Sequence, residues 1–154
     1  QLDRFLMKIR VTYPEPDKEA EILARYQEGF DARSFNREQL EPLSEQALQT
    51  AREEIARVRV EPKLLDYVVS VARATRNSPA VTLGASPRAA IAMLLVAKAI
   101  AATESRDFLI PDDVKVAAPP ILRHRLVLKP EADLEGITPD QVISEVLTST
   151  AVPK

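Results

Sequence analysis

In the run GASPR, residues 84–88, an arginine stands where a helix least favours one. Ser86 is a good N-cap residue and Pro87 a good first helical residue. Arg88 then falls in the first turn, where the helix dipole is positive and disfavours a cation by roughly 0.3–1 kcal/mol. That cost vanishes if an anion occupies the same place. Helix N-termini already offer free N–H groups to phosphates, and a guanidinium adds a permanently charged, planar donor fork. Gly84 and Ala85 keep the approach uncrowded. The chemistry outlined is phosphate recognition; the plain alternative is a surface arginine whose stem packs on its neighbours.

Little else in the sequence could do chemistry unaided. There is one histidine, His124, and no cysteine, so a multi-histidine metal site and a Cys/His pair are excluded, and nothing in the spacing argues for a Ser/His/Asp constellation. With only three glycines, the chain holds no GxxxxGK[ST] loop and no GxGxxG. Asp112 and Asp113 resemble a metal-binding pair, but acids following Pro111 are what a helix start calls for. Arg123, His124, Arg125 and Lys129 form a local basic cluster, and Arg76 lies near another helix end. Cations completing helix C-termini account for both. A formal charge of −2 gives no global basic field, so nucleic acid is an unlikely partner. Taken alone, the chain does not read as a complete enzyme.

The elements that must position Arg88 are mostly helical, and an apolar share of 45% suffices for a real core. Residues 5–11, FLMKIRV, alternate and predict one short strand, which lacks a clear partner. Asp17 is placed to cap a half-buried helix through about Gly29, with Ala20, Leu23 and Ala24 on its apolar side. A second helix starts at Ser44 with a seam of Leu48, Ala51, Ile55 and Val58. A third opens at Pro62 and gathers Leu64, Val68, Val71, Ala72 and Thr75 on one face. The fourth spans Ser86 to about Thr103. Between Ala89 and Ala102 only Lys98 is polar, which predicts a central helix covered nearly all round. That run is too short to cross a bilayer, and the N-terminus does not read as a signal peptide. A fifth helix begins near Pro111, Pro119-Pro120 restarts the chain, LVLK suggests a short extended piece, and Thr138 opens a last helix through about Leu147. The fold class expected is all-α, a helical bundle with a short N-terminal β-strand and one further short extended segment. The compartment expected is cytoplasmic.

Several ordered stretches resemble one family. LDRFLMKIRVTYP, EAEIL, ATR at 74–76, LGASPRA, RDFLIPDDVK and PPILRHRLVLKPEA together look like the C-terminal, lid-bearing portion of a MoxR-family AAA+ ATPase. The resemblance implies that residues 1–13 are the end of the ATPase core, including its last strand, and that 14–154 are the helical lid. Arg88 would be the second-sensor arginine, reaching the γ-phosphate of ATP. Arg4, in LDRF, would be an arginine finger acting in trans on the neighbouring subunit. Gly84, Ser86 and Arg88 would face the nucleotide, and Ile22, with Tyr13, would border the base. ATP would be the cofactor, with Mg²⁺ held by a core domain upstream. The basic cluster could then be a partner contact near bound nucleotide. The full-length protein would be a ring, of hexamer size, that matures partner complexes and works with von Willebrand factor A domain proteins.

The resemblance also implies that Gln1 lies inside an ATPase module, and that these residues alone neither hydrolyse ATP nor bind it tightly. A rival reading is a stand-alone helical interaction module with no nucleotide role. A third, a helical nucleic-acid-binding domain, is disfavoured by the acidic balance.

Overall fold

The computed structural model describes residues 2–34 and 41–153. Seven α-helices lie there: α1 (Pro16–Gln27), α2 (Glu45–Arg57), α3 (Pro62–Asn77), α4 (Pro87–Thr103), α5 (Pro111–Leu122), α6 (Pro130–Leu134) and α7 (Pro139–Ser149). Two short strands, β1 (Val81–Leu83) and β2 (Val127–Leu128), pair antiparallel, with Val81 opposite Leu128 and Leu83 opposite Val127. Six of the seven helices begin on a proline, whose fixed φ and missing N–H suit the first helical position. No helix among the described residues is long and apolar enough to cross a membrane.

The chain divides into two units, Gln1–Ile9 with Thr50–Lys154, and Arg10–Gln49. The larger holds the core. α4 forms one side of it, burying Ala89, Ala92, Met93, Ala97 and Ala101. The alanines let α5 approach closely, and α5 buries Val114, Ala117, Ala118, Ile121 and Leu122. α3 closes a third side with Leu64, Tyr67, Val68, Val71 and Ala72, and α7 a fourth with Val142, Ile143 and Val146. Met93, Ile121, Leu122 and Ile143 are fully buried, and each such side chain is worth roughly 1.5–3 kcal/mol of transfer free energy. The smaller unit contains α1, which begins on Pro16 after Glu15, so Asp17 is not its cap. α1 buries none of its residues; Leu23 is 72% exposed, and the half-buried helix expected there is not found.

Three further expectations meet corrections. Residues 5–11 form no sheet ladder; Lys8 N–H donates to the Pro120 carbonyl at 2.8 Å, and Phe5, Ile9 and Val11 stay exposed. An apolar alternation is only a strand if an edge is at hand, and the nearest backbone is helical. α4 is not covered all round, since Ile91 and Leu95, one turn apart on one face, are 60% and 54% exposed. Finally, α5 runs straight through Pro119 and Pro120. Each ring removes an N–H bond to a carbonyl four residues earlier, at roughly 3 kcal/mol or more in an ordinary helix interior. The carbonyls left over belong to half-exposed Lys115 and exposed Val116, within reach of water. Ile121 and Leu122, fully buried in the next turn, hold the helix together beyond the rings.

Candidate functional site

The GASPR turn is fastened to the end of α3. Thr75, fully buried, donates its hydroxyl to the Ala72 carbonyl at 2.7 Å and accepts from Ala85 N–H at 2.9 Å. Arg76 Nε donates to the Ala85 carbonyl at 2.6 Å. Arg76 therefore ties down the loop that follows β1, rather than completing its own helix. Gly84 explains itself here: a Cβ would sit 2.7 Å from the backbone nitrogen and Cα of Arg76. The glycine admits a helix end, a packing need the sequence does not announce.

From that anchored loop α4 departs as the spacing predicts. Ser86 is the N-cap, its Oγ accepting from Ala89 N–H at a long 3.4 Å, and Pro87 is the first helical residue. Arg88, the second, is exposed. Arg88, Ile91 and Leu95 follow one another along one face of α4. Across from that face lies a 3-10 turn at Leu2–Arg4 and the residues after it. Arg4, Leu6, Arg88, Ile91, Leu95 and Arg125 enclose a concavity of about 240 Å³. That is below the roughly 300–1,000 Å³ of pockets that engulf a whole small molecule. The surface can offer side chains to one end of a ligand, such as a phosphate, but it cannot wrap a nucleotide. A larger, mostly apolar concavity of about 510 Å³ lies between the starts of α3 and α5 and Pro153, away from the arginines.

The basic cluster after α5 does something its sequence position does not suggest. Arg125 is buried and grips the N-terminal turn, with Nε 2.9 Å from an Asp3 carboxylate oxygen. Arg123 bonds Asp140 at 3.0 Å and the Lys8 carbonyl at 3.2 Å. His124 Nε2 lies 3.1 Å from the Phe5 carbonyl, a contact that needs the proton on Nε2, while its buried Nδ1 has no partner among the described residues. These side chains position residues 3–8. The side chains of Arg4 and Arg88, in contrast, have no ion pair or hydrogen bond among the described residues.

Asp112 and Asp113 are structural. Asp113 takes two bonds from Arg106, at 2.8 and 2.5 Å, and one from Ile110 N–H at 3.0 Å. Burial alone would raise its carboxyl, but Arg106 and the Ile110 amide outweigh burial and hold it below the usual aspartate value. Asp112 pairs with Lys115 on the surface. No cluster of three or more potential metal ligands exists among the described residues. Ile22 lies on α1 in the smaller unit, 45% exposed, and Tyr13 precedes that helix, 92% exposed.

With this geometry in hand, comparisons with known proteins define the class. The family model described as the AAA lid domain matches residues 73–146, from the end of α3 to α7. The chain is 38% identical over its whole length to Chaperone MoxR1 of Mycobacterium tuberculosis, covering 42% of that protein. It is 37% identical to YeaC of Bacillus subtilis (99% of this chain, 47% of YeaC) and 29% identical to Protein MoxR of Methylorubrum extorquens (91% of this chain, 46% of that protein). A solved structure from Cytophaga hutchinsonii, described as a candidate ATPase, superposes with a TM-score of 0.85 at 33% identity, covering 99% of this chain and 48% of that one. The fold and the matched residues define an AAA lid domain. More narrowly, the chain is similar over nearly its whole length to MoxR proteins of the AAA+ class, of which it matches a lid-bearing portion. It spans about half the length of the curated relatives it matches.

Proposed function

We propose that this chain is the nucleotide-sensing lid portion of an ATP-driven, chaperone-like machine, with residues 1–13 closing the ATPase core and 14–154 forming the lid. Arg88 acts as the second sensor and Arg4 as an arginine finger supplied in trans, both reaching the γ-phosphate of an ATP held by the adjacent subunit. ATP and its Mg²⁺ are held chiefly by an ATPase core beyond these residues. Ser86 and Gly84 shape the loop that presents Arg88, and Ile22 borders the base. The assembled protein is a ring, of hexamer size, acting on partner complexes that include von Willebrand factor A domain proteins.

One observation carries this reading: Arg4 and Arg88 line the same small concavity, and neither side chain is neutralised among the described residues. Two unpaired guanidiniums facing one space repel each other unless an anion lies between them. A phosphoryl group undergoing transfer is such an anion, and an arginine finger is worth about 10³–10⁵ in rate where it has been measured in GTPases. Because the concavity is only a rim, the rest of the nucleotide site must come from another body, so hydrolysis would wait on closure and assembly. The test is Arg88→Ala in the full-length protein. ATP turnover should fall by about 10²-fold or more with assembly intact, as for loss of a charge-stabilising donor. Near-normal turnover in a normally assembled variant removes the second-sensor assignment.

A further inference from the structure

Arg125 lines the concavity beside Arg4 and Arg88, yet its charge is already spoken for. Its side chain is 2% exposed and all three nitrogens are engaged. Nε donates to the Asp3 carboxylate at 2.9 Å. Nη1 donates to the carbonyls of Leu6 at 3.0 Å and Ile121 at 2.5 Å. Nη2 donates to the carbonyls of Asp3 at 3.2 Å and Phe5 at 2.5 Å. A guanidinium buried this deeply is tolerable only when its donors are met and its charge is balanced. What meets them, Ile121 aside, is the backbone on both sides of Arg4 and the carboxylate of Asp3. The same Asp3 oxygen lies 3.5 Å from Ser86 Oγ, the cap of α4 two residues before Arg88. One carboxylate thus touches both the residue that grips the Arg4 turn and the residue that starts the Arg88 helix.

We infer that Arg125, acting through Asp3 and the backbone of residues 3–6, is a positioning residue that sets where Arg4 stands relative to Arg88. The inference rests on Arg4 being a phosphate ligand, as proposed above. Arg125 offers no charge to the ligand; it fixes the spacing at which the other two guanidiniums meet one anion. Lysine cannot substitute, because a single ammonium cannot span acceptors that three guanidinium nitrogens reach at once.

The test uses the full-length protein in four variants: Arg4→Ala, Arg125→Lys, the double variant, and Asp3→Ala, each followed by ATP turnover and thermal denaturation. Arg125→Lys should lower kcat by about 10²-fold, the scale of a misplacement near 1 Å. Its KM for ATP should stay within about twofold, the signature of a contact made in the transition state. The double variant should be no slower than Arg4→Ala, because a misplaced arginine and an absent one lose the same contact. Asp3 is 46% exposed, so Asp3→Ala spares the core and decides the matter if Arg125→Lys does not fold; its kcat should fall in the same direction. An impaired Arg4→Ala beside normal kcat in the folded positioning variants overturns the positioning role alone, as do losses that multiply in the double variant. Normal turnover in Arg4→Ala overturns the finger reading, and the positioning role with it.

Discussion

The space where a Gly84 side chain would go is occupied by the backbone of Arg76, 2.7 Å from an ideal Cβ. Arg76 in turn donates to the carbonyl of the next residue, Ala85. A methyl group at position 84 must therefore displace main chain, not the free end of a flexible side chain. Gly84→Ala should destabilise the larger unit by about 1–3 kcal/mol, the usual cost of overpacking a tight contact. Because the displaced loop carries Ser86 and Arg88, ATP-dependent activity of the full-length protein should fall with it. Equilibrium denaturation checks the first effect; a stability equal to wild type would show that the loop relaxes without resistance.

A second prediction concerns Asp113 and Arg106. The carboxylate is buried, bonded twice by the guanidinium and once by the Ile110 amide, and its pKa is depressed despite burial. A depressed folded-state value means the unfolded chain binds the proton more readily. The pair's stabilisation is then complete above the ordinary aspartate value of 3.8 and is lost as pH falls below it, toward the folded value. Asp113→Ala should cost about 1.5–3 kcal/mol at neutral pH, the range for hydrogen bonds to a charged group. Urea denaturation of wild type and variant across the acid range should show the gap narrowing as pH drops. A gap that stays constant down to the acid limit contradicts the pairing.

How much of this was readable from the residues follows from the range of the interactions. Helices whose starts are written locally were legible: Ser44, Pro62, Ser86-Pro87 and Thr138-Pro139 mark α2, α3, α4 and α7 to within a residue. The Arg88 anomaly was legible for the same reason, since cap and dipole act over one turn. Contacts made at long range were not. The bond between Arg125 and Asp3 joins residues 122 apart, and nothing in the ILRHR run discloses which carbonyls it will find. β1 escaped notice because three residues carry no period, and it exists only through β2. The prolines misled in the opposite sense: Pro119-Pro120 reads as a break, and only the burial of Ile121 and Leu122 shows why α5 persists.

The exposed side of α4 supplies a third prediction, because the helix composition alone made every apolar position look like core. Met93 is fully buried, whereas Ile91, two residues before it, is 60% exposed. Met93→Ala should cost about 2–5 kcal/mol through lost burial and the cavity left behind. Ile91→Ser should fall within about 0.5 kcal/mol of wild type, as surface changes do. Thermal denaturation of both variants separates the two positions. Comparable losses would mean that Ile91 is covered in solution, for instance by another copy of the chain.

The last prediction addresses the N-terminal run that alternates like a strand without joining a sheet. Lys8 N–H is bonded to the Pro120 carbonyl at 2.8 Å, whereas Met7 and Ile9 N–H have no such partner among the described residues. The bond exists because Pro120 lies in the last turn of α5, where carbonyls are left over by a helix that is ending. Arg123 holds the Lys8 carbonyl from the same end. A single pinned amide between two free ones has a distinctive signature in hydrogen exchange. The Lys8 amide should exchange markedly more slowly than those of Met7 and Ile9, and Arg123→Ala should speed it towards theirs. Protection alternating along the whole of residues 5–11 would instead mean that the run pairs with a strand of another chain. Uniform fast exchange would mean that the clamp of Arg123, His124 and Arg125 does not hold in solution.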